Sequence, residues 1–133
     1  MATTSEIICV ACPKGCSLQV KHEGNEPLEI IGAGCRRGKD YAICELQDPR
    51  RMVASTVKVR GGLHPLVPVY TREGFPKPLI PQLAQKLREV EVRAPVAINQ
   101  VVLENALGTG IDIIASRDMP EGKGLFEASP RCP

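Results

Sequence analysis

Four cysteines at fixed intervals constrain this chain more than anything else in it. Cys9, Cys12 and Cys16 stand in the run C-VA-C-PKG-C, and Cys35 follows after eighteen residues, opening C-RRG. Three thiols within eight residues can face one centre only if the backbone turns sharply. Pro13 and Gly15 carry that turn chemistry, and Gly32 and Gly34 serve the approach to Cys35. Small residues also let backbone N–H groups approach a bound sulfur. Four thiolates suit either a tetrahedral zinc or an iron–sulfur cluster. Zinc sites usually pair two short knuckles, whereas a three-plus-one arrangement is more typical of a cubane, so a [4Fe–4S] cluster is the expected group and zinc the alternative. A thiol redox pair, Cys9 with Cys12, is a third reading, but it lacks the strand–helix setting of such motifs.

Composition narrows the setting. The chain has 133 residues, six cysteines, no Trp and only two Tyr and two Phe, so any core must be built from Val, Ile and Leu. The net charge of +2 is too mild to argue for nucleic acid, which needs clustered Lys and Arg. No leader-like stretch and no apolar run of membrane-spanning length is visible, which points to the cytoplasm and so to metal ligation over disulfides.

The expected fold is α+β: a small cysteine-rich, metal-binding N-terminal segment (1–48) with a β-hairpin and a short helix, then a β-rich domain (49–119) with one amphipathic helix, then a flexible tail (120–133). Residues 6–9, 17–21 and 28–31 read as strands, the last two joined through the turn-prone HEGNEP. Residues 39–46 have helical spacing, stopped by Asp48-Pro49. Farther on, 56–59 and 66–70 read as strands, with Pro68 hinting at a sheet edge. Residues 80–90 give the best helix, with Pro81 in its first turn and Ile80, Leu83, Ala84, Leu87 and Val90 as one apolar stripe. Residues 95–103 and 111–115 read as buried strands separated by the turn 108–110.

The segment C-VA-C-PKG-C-SLQV, with its Gly-rich approach to G34-C35-RR-G38, resembles the N-terminal iron–sulfur segment of molybdopterin oxidoreductases over residues 7–50. The resemblance implies Cys9, Cys12, Cys16 and Cys35 as cluster ligands and Arg37 as the basic residue beside the cofactor. The rest of that large family's chain is absent, and the gap from Cys16 to Cys35 is shorter, so no pterin site is carried over. Over residues 7–118, CPKGC, GCRRGKDYA, STVKV and PVAINQVVLENALGTGIDIIASRD resemble the DUF1667 family. That likeness implies an accessory electron carrier beside a flavoprotein dehydrogenase, a redox subunit and not an enzyme by itself. A weaker likeness of IDIIASRD to β segments of sugar-acid dehydratases carries no argument.

Other residues read more plainly. Cys44 is expected to be a buried small hydrophobe and Cys132 an uninvolved thiol. Arg36, Arg37 and Lys39 lie at a helix start, where cations oppose the dipole, so an anionic centre nearby would compensate them. His22 and His64 read as surface residues in turns. Glu104, Asp112 and Asp118 have no visible pairing for acid–base work, and Gly108 and Gly110 make a plain turn.

Overall fold

In the computed structural model, which describes residues 1–122, the chain divides at Arg50/Arg51 into two compact units. The protein is mixed α+β, with two α-helices and β-rich sheets.

The first unit is a three-stranded antiparallel sheet and one helix. Strand β1 (Thr3–Ile8) pairs with β2 (Ser17–Glu23), which pairs with β3 (Glu26–Ile31). Period-two alternation along β2 buries Leu18 and Val20 while Gln19 and Lys21 face outward. The β2–β3 hairpin forms as its turn residues predict, with Gly24 at φ +60. Helix α1 (Arg36–Gln47) packs on β2 and β3. It ends where Asp48 N–H donates to Cys44 O at 2.8 Å, just before Pro49. The buried core here is small: Cys9, Leu18, Val20 and Ala42, with Ile7, Cys16, Ile30, Ala33, Tyr41 and Leu46 packed around it.

Strand β4 (Arg50–Arg51) stands where the chain passes to the second unit. There β5 (Ala54–Arg60) and β6 (Leu66–Thr71) form an antiparallel pair. After β7 (Phe75–Pro76) and a 3-10 turn, α2 (Ile80–Glu89) packs on β5 and leads into β8 (Glu91–Arg93), which joins β5 in parallel. Strands β9 (Val101–Leu103) and β10 (Ile113–Ala115) complete a sheet of order β8-β5-β6-β10-β9. Its core gathers Val57, Val67, Val69, Phe75, Leu83, Leu87, Ile113 and Met119. Phe75, the one aromatic side chain in it, is fully buried.

Several expectations are corrected. Pro68 is not at an edge: β6 is the central strand. Its nitrogen faces Ser116, one residue beyond the end of β10, so the missing donor falls where the ladder has stopped. Only the Ser116 N–H to Pro68 O bond, at 2.9 Å, is needed there. Ala84 is exposed, because the core-facing stripe of α2 is narrower than its apolar pattern and buries only Leu83 and Leu87 fully. Residues 95–103 are strand only over Val101–Leu103; the rest is a loop that contains a cis Ala94–Pro95 bond, bridges Val96 to Met119 and has Asn99 at φ +65. Cys44 is exposed, on the outward side of α1. His22 sits in β2, half-buried, with its ring bonded to Ser5 Oγ and Gly24 O, each at 2.8 Å. Of the tail expected from 120, residues 123–133, with Cys132, lie outside the described residues, while Glu121 forms a bridge to Gly62.

Candidate metal centre

Cys9 and Cys16 extend the β1–β2 pairing by one step beyond Ile8 and Ser17, and Cys9 N–H donates to Cys16 O at 2.8 Å. The connection 10–15 is thus a six-residue loop whose two ends are ligand-type residues. Cys12 stands within it, and Gly15, at φ +66, turns the chain back toward Cys16. Cys35 arrives from the other side, as the residue capping the N-terminus of α1. Gly32 enables this approach: at φ +92 its α-carbon passes so near β2 that a Cβ would lie 2.4 Å from Ser17 O.

The four cysteines line one pocket of about 200 Å³ together with Ala11, Lys14, Gly34, Arg37 and Gly38. Two glycines lie beside sulfur, at distances where a Cβ would make ordinary contact with it. A Cβ on Gly38 would lie 3.7 Å from Cys9 Sγ, and one on Gly34 would lie 3.5 Å from Cys16 Sγ and 3.3 Å from Lys14 Nζ. Cys9 is buried, Cys12 and Cys16 are half-buried and Cys35 is exposed at the mouth; all four are free thiols. Among the described residues, no three His, Cys, Asp or Glu side chains are gathered tightly enough to hold a single metal ion. Four thiols lining one pocket can serve either a tetrahedral zinc or a cubane whose thiolates sit on separate irons.

The pocket lining carries two cations and no carboxylate. The thiol of Cys35 is held below its ordinary range, chiefly by the Gly38 amide. Desolvation opposes this, and the Arg37 amide and guanidinium add to it. Cys35 makes no capping bond of full geometry, so these amides act as nearby dipoles at the helix start and not as a formed cap. The first turn of α1 has no acidic residue, and Arg36 reaches only Asp40, at 3.9 Å on the surface, which contributes little.

Of the residues singled out from sequence, Cys9, Cys12, Cys16, Cys35 and Arg37 come together. Cys44 is outside the pocket lining, as are Arg36 and Lys39. Asp112 and Asp118 do not pair; each accepts a loop amide, from Asn105 at 3.0 Å and from Ile98 at 2.7 Å. Lys14 was missed, although its place between two ligand-type cysteines was a visible signal.

The described helices include none long and apolar enough to cross a membrane. The fold and the cysteine pocket define a small α+β protein with one thiol-lined centre. The chain belongs to the family described as "Protein of unknown function (DUF1667)", whose pattern matches residues 36–117. It is similar in structure to the Clostridium perfringens protein CPE0013, determined by NMR. Sequence identity is 25%, the TM-score is 0.51, and the match covers 62% of this chain and 96% of that one. No curated protein matches.

Proposed function

We propose that Cys9, Cys12, Cys16 and Cys35 hold a [4Fe–4S] cluster and that the protein is an electron-transfer accessory to a flavin-dependent dehydrogenase in the cytoplasm. The observation that carries this reading is the convergence of all four thiols on one pocket whose other charged residues are both cations. The donor set fits the group: four thiols for four irons, and positive charge against an anionic assembly. The unit also needs a staple. Residues 1–50 bury few apolar side chains, and one of these is Cys9 itself. Units of this size are commonly completed by a metal or by disulfides.

When bound, the cluster would supply one-electron chemistry. The residues' part is to hold and shield it. Cys9, 5% exposed, fixes the inner side, and Cys35 faces outward, where a partner's electrons would enter or leave. A flavin releases two electrons, which a single cubane passes on one at a time. The same thiols on zinc would make a structural or interaction module in its place.

The experiment is metal and sulfide analysis with visible absorption on protein purified without air. About four irons and four sulfides per chain, with a brown colour, support the carrier. One zinc and no iron would overturn it and leave the stapled module.

A further inference from the structure

Lys14 is the charged residue of the pocket that no sequence motif assigns. It sits in the Pro13–Gly15 turn between two of the thiols and, like Arg37, lines their pocket. Its ammonium does not point freely outward: it lies over Gly34 on the opposing loop, where a Cβ would be 3.3 Å from Nζ. The same Cβ would be 3.5 Å from Cys16 Sγ, so ammonium and sulfur both lie against Gly34. Gly34 has no left-handed φ. A Cβ there would suit the backbone and would press only on the movable end of Lys14. Among the described residues, no acidic side chain lines the pocket to neutralise Lys14, and no ion pair within 4.0 Å involves it.

Resting on the cluster reading above, we infer that Lys14, lying over Gly34, sets the reduction potential of the centre by placing a positive charge near the Cys16 thiolate. One-electron reduction, by dithionite in the test below, adds one negative charge to the cluster. A fixed cation stabilises the more negative state more than the less negative one, so it raises the potential. Arg37 does the same from the Cys35 side. Lys14 is exposed, so part of its effect is screened by salt. Lys14 is a positioning charge and not a ligand: the thiols would hold the metal without it.

The test is the midpoint potential of anaerobically prepared protein, titrated with dithionite and followed by visible absorption, with iron per chain measured in every variant. Lys14→Gln should lower the potential, Lys14→Glu should lower it further, and Lys14→Arg should leave it near the parent value, all with full iron. The Lys14→Gln shift should shrink at high salt. Lys21→Gln, a lysine paired with Glu29 at 2.8 Å and outside the pocket lining, should change nothing. Full iron with an unchanged potential in Lys14→Gln and Lys14→Glu overturns this inference alone. Loss of iron in Lys14→Arg as well as Lys14→Gln overturns it too, since a lost cluster in the charge-preserving variant marks a steric role. A parent protein that holds no cluster overturns the reading on which it rests.

Discussion

The amide of Cys9 donates to the carbonyl of Cys16 at 2.8 Å, so the first and third thiols of the motif are the two ends of one β-hairpin loop. Their separation is set by strand pairing. What the loop must supply is the turn that carries Cys12 inward and returns the chain. Gly15 makes it at φ +66, where a side chain meets no neighbour within 4 Å but the backbone is strained for any L residue, by about 1–2 kcal/mol. Gly32 is held by contact as well: its Cβ would be 2.4 Å from Ser17 O. Gly32→Ala should therefore be the more damaging change, costing iron and lowering the melting temperature, while Gly15→Ala should keep the fold and release metal faster to a chelator. Melting curves and chelator release rates on the two variants check the order.

Serine replacements test the ligand set. Cys9→Ser, Cys12→Ser, Cys16→Ser and Cys35→Ser should each lower iron per chain severely, because each removes one thiolate of the four that line the pocket. Cys44→Ser should keep full iron, since Cys44 is exposed and outside that lining. Iron loss in Cys44→Ser would show that the ligand set is misassigned.

Cys35 should be the fast thiol of the metal-free, reduced protein. Its thiolate is favoured below the ordinary thiol range, first by the Gly38 amide and then by Arg37, and it is exposed. Cys9 is buried. Iodoacetamide should thus modify Cys35 before Cys9 at neutral pH. The advantage of Cys35 should fade as pH rises through the ordinary thiol range, where a thiol without such neighbours also becomes thiolate. Arg37→Gln should slow the labelling only in part, because the Gly38 amide remains. Peptide mass spectrometry over a pH series reads all three.

How far the sequence could be read depended on whether a feature was local. The β2–β3 hairpin was legible because HEGNEP marks its own turn, and the end of α1 because Asp48-Pro49 forbids its continuation. The four cysteines were legible as a set because their spacing is unusual. Pro68 misled because proline's missing donor matters only if a partner strand is opposite, and β10 stops one residue short of it. Ala84 and Cys44 misled because small residues fit either face of a helix; which face is covered is decided by what packs there. Strand β8 went unseen because Glu91–Arg93 is short and polar at both ends and pairs with a strand thirty or so residues away. Lys14 could be placed only once the fold had brought Gly34 against the Cys12–Cys16 turn.

The two units should respond separately to damage in their own cores. The second unit has its own core around Phe75, Leu83 and Leu87, with no cysteine in it. Phe75→Ala should cost it about 3–5 kcal/mol and Leu83→Ala about 2–5 kcal/mol. Metal removal acts elsewhere: the core of the first unit is Cys9, Leu18, Val20 and Ala42, and the proposed cluster would tie its hairpin loop to the start of α1. Stripping the metal should therefore raise amide exchange in β1, β2 and α1 while β5, β6 and β10 stay protected. Phe75→Ala should do the reverse and leave iron per chain unchanged. Hydrogen exchange with mass spectrometry on the loaded, stripped and Phe75→Ala proteins distinguishes these patterns. Equal loss of protection in both units on metal removal would mean that the units fold as one, and that the metal supports the whole chain.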